Sequence, residues 1–146
     1  MNDAAHNLDL NKLSEYLGRQ LPNFSGINTS KKFGTGQSNP TYLIDTHEKK
    51  YVLRKKPPGK LLPSAHAVDR EYRIIKALEK TAVPVPKTML LCEDESVIGT
   101  IFYLMEFVDG RIFWDPSLPE INKEQRKAVY KETVRVMTAL HNIDIE

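Results

Sequence analysis

The chain has 146 residues, of which 40% are hydrophobic and 27% are charged, and its formal net charge is +2. This length allows about one domain with a hydrophobic core, and the charge is too small to indicate a nucleic-acid partner by itself. The single cysteine, Cys92, excludes an internal disulfide, so a cytoplasmic protein is expected. We find no secretory signal and no apolar run near the ~20 residues that span a bilayer, so no membrane partner is expected.

The first half of the chain predicts one helix followed by three strands. Leucines recur at helical spacing from Asp9 until Pro22, which favours an amphipathic helix. A strand is expected from about Ile27 to Phe33, followed by a glycine-rich turn. As a strand, residues 41–46 would place Tyr42 and Ile44 on one face and Leu43 on the other, and a polar turn leads into a third strand over 51–55. These three strands are expected to form an antiparallel meander.

The second half predicts a helix, two more strands, a linker and a long final helix. The helix runs from about Val68 to Lys80, and the rigid segment Val83–Pro86 separates it from strands over 89–92 and 98–107. Prolines mark a linker after Gly110, and the final helix covers about Lys123 to Asn142, with Asn122 as its N-cap and Gln125 as a capping-box partner. Its apolar stripe has no evident partner and suggests self-association; it consists of Val129, Thr133, Val136, Met137 and Leu140.

The predicted fold class is therefore α+β, a five-stranded antiparallel sheet with one helix packed on it between the third and fourth strands. We divide the chain into a helical extension (1–26), a nucleotide-binding lobe (27–107), and a linker with the first helix of a second lobe (108–146).

The glycine-rich turn is the first of three segments that could contact a nucleotide. Glycine lets backbone amides approach an anion closely, and short polar side chains can point at phosphate oxygens. The segment consists of Gly34, Thr35, Gly36, Gln37, Ser38 and Asn39. An ordinary hairpin that uses glycines only for its turn geometry explains the same residues, because two glycines are a weak motif.

The second segment pairs a cation with an acid. Arg54 lies in the third predicted strand, after the glycine-rich hairpin, where a cation can reach nucleotide phosphates if an acid on the following helix holds it. Glu71 is the candidate acid, near the start of that helix. The alternative is that Arg54, Lys55, Lys56 and Lys60 form a solvated basic edge. Because strand side chains alternate, Lys55 should point away from the face that carries Arg54.

The third segment is the end of the fifth strand. A strand that breaks into a linker leaves backbone groups that can hydrogen-bond an adenine edge. Here Glu106 would offer its carbonyl, Val108 its amide, and Met105 would lie at the back of the pocket. A strand followed by an ordinary turn is the simpler interpretation of these residues.

The motifs GQSNPTY, YVLRKKPPG, DREYRIIKAL, VPVPK and FYLMEFVDGRIF together resemble the aminoglycoside phosphotransferase and choline kinase-like family. The likeness covers about Leu10 to Asp144, and it is greatest to the branch associated with acyl-CoA dehydrogenases. It implies the N-terminal lobe of a protein-kinase-like fold, ATP with magnesium as cofactors, and phosphate transfer to a small-molecule hydroxyl. By this resemblance Arg54 is the phosphate-binding cation, Glu71 its partner, and Glu106 to Val108 the adenine hinge.

The sequence departs from that family in its last residues. The family's catalytic loop contains His-Gly-Asp followed by Asn, and a later Asp binds magnesium. The only late candidate here runs from His141 to Asp144, and we expect His141 to end the final helix. No catalytic residue or metal ligand is assigned, so these 146 residues are expected to be inactive alone.

A rival interpretation uses the six basic residues between Lys49 and Lys60 as a hairpin that binds RNA or a membrane. Such a module needs exposed aromatic side chains between the charges, and only Tyr51 is available. His66 could contact phosphate, but an exposed loop histidine is expected there. The histidines and the cysteine have no zinc-ligand spacing.

Overall fold

The computed structural model describes residues 8–34, 39–57, 59 and 66–144. Within these ranges it contains three helices and five strands, in an order that matches the predicted one. The elements are α1 Leu10–Gln20, β1 Ile27–Lys32, β2 Thr41–Thr46, β3 Lys50–Lys55, α2 Val68–Leu78, β4 Thr88–Cys92, β5 Phe102–Glu106 and α3 Lys123–His141.

The five strands form one antiparallel sheet in the order β1-β2-β3-β5-β4. The α+β class and the five-stranded antiparallel sheet are therefore as predicted. One strand boundary differs appreciably, because β5 begins at Phe102 instead of Ile98. Gly99 has a φ of 80° in the turn that precedes it, a conformation that glycine adopts without strain and that ends an extended segment.

Helix α1 covers one face of the sheet. Asp9 caps its start by accepting a hydrogen bond from the Lys12 backbone N–H. Leu13 and Leu17 are fully buried on the sheet, and each stabilises the fold by about 1.5–3 kcal/mol. The sheet side chains in the same hydrophobic core are Tyr42, Ile44, Tyr51, Leu53, Cys92, Phe102 and Leu104. Helix α1 thus shares one core with the strands; the boundary that we placed after residue 26 stays a prediction.

Helix α2 packs near β4 and β5 and leaves much of its own surface in solvent. Val68 is its only buried residue, while Tyr72 and Ile75 are half-buried. Its C-terminal end is fixed to β4 by Glu79, whose carboxylate accepts hydrogen bonds from both the backbone N–H and the hydroxyl of Thr88. This attachment positions the helix residue Glu71 relative to the sheet.

Helix α3 begins with the capping box predicted for Asn122 and Gln125 and ends at His141, as expected. None of its 19 residues is buried. The linker before it is anchored by the buried side chains of Leu118 and Ile121. None of the helices in the described ranges combines the length and the hydrophobicity of a membrane span.

Candidate functional site

The strand register places two pairs of side chains on one face of the sheet. Val52 lies opposite Met105, and Arg54 lies opposite Tyr103. Because side chains two residues apart on a strand point to the same face, these four share a face. Leu53, between Val52 and Arg54, belongs to the core under α1, so this face is the one opposite α1.

An apolar cleft of about 450 Å³ opens around the Val52–Met105 pair. It is bounded by the end of β1, by the proline segment before β4 and by the segment after β5. Its lining residues are Phe33, Val52, Pro84, Val85, Pro86, Met105, Glu106, Phe107, Val108 and Ile112. The three residues predicted to contact adenine, Met105, Glu106 and Val108, therefore all lie at this cleft.

The end of β5 carries a backbone amide that can hydrogen-bond the edge of a ligand in the cleft. The Glu106 carboxylate is used locally, because it accepts a hydrogen bond from the Lys87 backbone N–H at 2.8 Å. The backbone N–H of Phe107 is also paired, because it donates a hydrogen bond to the Lys50 carbonyl. Within the described residues, the Val108 amide donates no hydrogen bond. It is thus available to a ligand in the cleft.

Arg54 and Glu71 form the predicted pair between β3 and α2. Arg54 Nε lies 2.8 Å from Glu71 Oε2, and Arg54 Nη2 donates to Glu71 Oε1 at 3.4 Å. The Nε–H has no hydrogen-bond partner among the described residues, so the short contact is an ion pair and not an aligned hydrogen bond. The side chains are 32% and 35% exposed, which leaves the guanidinium accessible to an anion.

Two further groups hold the Glu71 carboxylate. Asn39 Nδ2 donates to Oε1 at 2.9 Å, and the Tyr103 hydroxyl donates to Oε2 at 3.3 Å. Burial and the negative charge of Glu71 raise the pKa of the Tyr103 phenol, so it remains protonated and acts as a donor. Glu71 therefore receives polar contacts from Arg54 on β3, Tyr103 on β5 and Asn39 in the loop before β2, and these contacts hold its carboxylate without a ligand.

His66 is a member of this cluster that the sequence did not reveal. We expected an exposed loop histidine, but His66 is half-buried and its Nδ1 lies 2.9 Å from Asn39 Oδ1. No periodic pattern connects two residues on separate loops, so the sequence contained no signal for this contact. Val52, by contrast, could have been found, because alternation along β3 places it on the face of Arg54.

Part of the predicted glycine-rich site cannot be compared with the structure. Thr35, Gly36, Gln37 and Ser38 lie outside the described residues. Gly34 and Asn39 bracket them: Gly34 is exposed, whereas Asn39 is only 3% exposed and holds Glu71. Their role in nucleotide binding stays a prediction.

The solvated basic edge is wrong for Arg54 and Lys55, whereas Lys60 lies outside the described residues. Arg54 is paired with Glu71, and Lys55 is only 4% exposed. The Lys55 ammonium lies 5.9 Å from the centre of the Tyr42 ring, within range of a cation–π contact. Burial, and secondarily the charge of Lys32, lower the pKa of Lys55. As predicted from strand alternation, Lys55 and Arg54 lie on opposite faces.

A magnesium site is not found in the part of the chain that the structure describes. No group of three or more His, Cys, Asp or Glu side chains is arranged there to hold a metal ion. We therefore assign no magnesium ligand and derive no chemical step through this metal.

The phosphotransferase enzyme family (APH) matches this chain over residues 29–146. The chain belongs to this family. It is also similar to a crystal structure from Ralstonia eutropha JMP134, assigned as an aminoglycoside phosphotransferase, with a TM-score of 0.80 and 43% identity. That likeness covers 94% of this chain and 39% of the other. The family and the α+β, kinase-like fold predicted from the sequence are thereby confirmed.

Curated relatives confirm the predicted branch. IBR3 of Arabidopsis thaliana, assigned as an acyl-CoA dehydrogenase, is 49% identical over 98% of this chain. Human acyl-CoA dehydrogenase family member 11 is 44% identical over 97% of it. The chain spans only 18% and 19% of the length of these two relatives. It therefore corresponds to a small part of each, and their names describe much longer proteins.

Proposed function

We propose that this chain is the nucleotide-binding portion of an ATP-dependent phosphotransferase that acts on a small-molecule hydroxyl. One observation carries the proposal: an apolar cleft and an accessible, fixed arginine lie side by side on one face of the sheet. Val52, at the cleft, and Arg54 are two residues apart on β3, a separation of about 6.6 Å along a strand.

The cleft suits the base of a nucleotide. Its volume of about 450 Å³ falls within the range of small-molecule sites, which are mostly apolar with a few placed polar groups. Val52 and Met105 would contact the faces and rear edge of adenine. The Glu106 carbonyl and the Val108 amide would supply the polar contacts to its edge.

Arg54 suits the phosphates. Its planar guanidinium can bind a carboxylate and a phosphate at once, and it stays charged at any physiological pH. Glu71 holds one side of the fork, so the orientation of the other donors is set in advance. The backbone amides of the turn that starts at Gly34 are the second source of phosphate contacts in this proposal.

The catalytic half of the reaction is not assigned to these residues. ATP would supply the phosphoryl group, while the catalytic base and the magnesium ligands would be residues other than those proposed to bind the nucleotide. A positioned base alone contributes about 10²–10⁴ in rate. We therefore propose that the 146 residues bind nucleotide with modest affinity and do not transfer phosphate alone. The hydroxyl acceptor of the longer protein and a cytoplasmic location complete the proposal.

Two observations disfavour the RNA- or membrane-binding alternative. Tyr51, the aromatic residue among the basic side chains, is only 9% exposed and belongs to the core under α1. Arg54 and Lys55 are respectively paired and buried. Neither the stacking surface nor the full set of free cations that such a module requires is present in the described part of this segment.

Backbone amide shifts on titration with adenosine and with ATP test the proposal. We expect adenosine to shift Val52, Met105 and Val108, and ATP to shift these and also Gly34 and Arg54. In an Arg54→Ala variant, the shifts that only ATP causes should disappear, while the shifts that ATP shares with adenosine should remain. Shifts confined to Lys49, Lys50 and Lys56, or binding of a short RNA that persists at 150 mM salt, would support the basic-hairpin alternative instead.

A further inference from the structure

We infer that His66 is a positioning residue, which sets the orientation of the Arg54 guanidinium through Asn39 and Glu71. The functional part of this inference rests on the proposed function, since it concerns the arginine assigned to the phosphates. The contacts themselves do not depend on that assignment and can be tested without a nucleotide.

Four side chains from four segments form one continuous chain of polar contacts. His66 Nδ1 lies 2.9 Å from Asn39 Oδ1, Asn39 Nδ2 lies 2.9 Å from Glu71 Oε1, and Glu71 Oε2 lies 2.8 Å from Arg54 Nε. The segments are the loop before α2, the loop before β2, α2 itself and β3. This series of polar contacts therefore links Asn39, at the end of the glycine-rich turn, to Arg54 on the sheet.

The direction of each contact follows from what the groups can donate. An ionised carboxylate only accepts, so Asn39 must turn its NH₂ toward Glu71 and its oxygen toward His66. That oxygen also only accepts, so Nδ1 of His66 must carry the proton. The Glu71 carboxylate thereby sets which way round the Asn39 amide sits, and the His66 N–H holds the amide oxygen in that position.

Burial makes this orientation consequential. Asn39 is 3% exposed, and a buried amide oxygen without a donor is costly. If His66 no longer donates, the amide oxygen can regain a donor only by turning the side chain toward solvent. That movement would draw the Asn39 NH₂ group away from Glu71 Oε1. Glu71 would lose one of its contacts and shift, and the Arg54 fork would shift with it.

The backbone of His66 also has a specific conformation and a specific hydrogen bond. Its φ is 59°, in the left-handed region that residues other than glycine adopt uncommonly and at some cost. Its carbonyl accepts a hydrogen bond from the Val68 backbone N–H at 2.9 Å, at the start of the helix that carries Glu71. The neighbouring N-cap residue, Ala67, makes no side-chain capping bond. His66 thus contacts the helix start through its backbone and the Asn39 amide through its side chain.

The first experiment uses the nucleotide-free chain. The Arg54 ¹⁵Nε–¹Hε resonance is followed in the wild type, His66→Ala, His66→Asn and His66→Gln, with His47→Ala as control, because His47 is an exposed turn histidine. Asparagine can keep a donor near the Nδ1 position, whereas glutamine reaches toward the Nε2 position. We expect the resonance to move in H66A and H66Q and to return in H66N. An unchanged resonance in all of them would overturn the inference.

The second experiment compares ligands with and without phosphates. We expect H66A to weaken ATP binding about tenfold and to leave adenosine binding unchanged, because the cleft residues are not part of the polar chain. H66N should recover most of the loss. Equal weakening of both ligands would show a merely structural role and contradict the inference. If H66A does not fold, the contrast between H66N and H66Q decides.

The two levels of the proposal fail differently. A wild-type chain that binds neither ATP nor adenosine would overturn the proposed function, while the Arg54 resonance would still decide whether His66 orients it. A wild-type chain that binds ATP, with H66A binding it equally well, would overturn the role of His66 alone.

Discussion

Arg54 and Lys55 are neighbours in sequence, but one lies on the cleft face of β3 beside Glu71 and the other is buried against Tyr42 on the opposite side. The two adjacent cations therefore have unrelated surroundings. Only Arg54 is accessible to a ligand in the cleft, which gives a direct comparison between a proposed binding residue and a basic residue of the same strand.

We expect Arg54→Ala to weaken ATP binding by about 10- to 100-fold, since a charge-assisted contact contributes ~1.5–3 kcal/mol. The free energy of unfolding should change little, because the Arg54–Glu71 pair is about one-third exposed and such pairs contribute about 0–1 kcal/mol. Calorimetric titration and urea unfolding measure the two quantities.

Lys55→Met is the matched control for that variant. It removes a buried charge and keeps a chain of similar length, so we expect unaltered ATP binding and no loss of stability. If K55M lost much of its ATP affinity and R54A did not, the result would show that Lys55, and not Arg54, contacts the phosphates.

The cleft itself is tested by Val52→Ala. Val52 lines the cleft and is 9% exposed, so its loss should weaken ATP and adenosine by the same factor, about three- to tenfold. Val97→Ala is the control, because Val97 is 8% exposed but belongs to the core under α1. V97A should lower stability comparably and leave both affinities unchanged. If V97A weakens binding as much as V52A, the weaker binding of V52A comes from lost stability and not from a lost contact in the cleft.

The Glu79–Thr88 contact predicts a specific acid sensitivity. Hydrogen bonds from the hydroxyl and backbone N–H of Thr88, aided by Lys76, lower the pKa of Glu79 from 4.5 to about 2. A carboxyl group whose pKa is lower in the folded state stabilises the protein above its unfolded pKa, and this contribution is lost as pH falls through the folded pKa. Between pH 4.5 and 2 the stability of the wild type should therefore decline more steeply than that of Glu79→Gln.

Thr88 provides the matched variants for that titration. Thr88→Val removes the hydroxyl and should flatten the pH dependence of stability, whereas Thr88→Ser keeps the hydroxyl and should preserve it. Unfolding by urea at a series of pH values gives the comparison. Identical profiles for T88V and T88S would show that the hydroxyl does not set the pKa of Glu79.

The apolar stripe of α3 predicts the association behaviour of the isolated chain. Met137 is 52% exposed and Leu140 47%, and an exposed stripe of this kind favours self-association. Met137→Glu should shift the chain toward the monomer in light scattering. Thr138→Glu adds the same charge on the other side of the helix and should not. A wild-type chain that stays monomeric at high concentration, with α3 protected from hydrogen exchange, would contradict this expectation.

Local patterns explain most of what was predicted correctly. The alternation of Tyr42, Leu43 and Ile44 fixed the faces of β2, and the same alternation separated Arg54 from Lys55. The capping box at Asn122 located the start of α3. Each of these depends on residues within a few positions of one another, where backbone geometry alone relates side chains. The start of β5 was misplaced because the sequence around Gly99 is apolar but turns.

The sequence by itself determined the order of the elements, the membership of the family, and the two segments that meet as Arg54 and Glu71. Tertiary structure alone decided which apolar residues wall the cleft, that α1 shares the core of the sheet, and that His66 holds Asn39. The physical reason is distance along the chain. His66 and Asn39 are 27 residues apart and joined by no periodic pattern, so only the folded path of the backbone could place an imidazole against a buried amide.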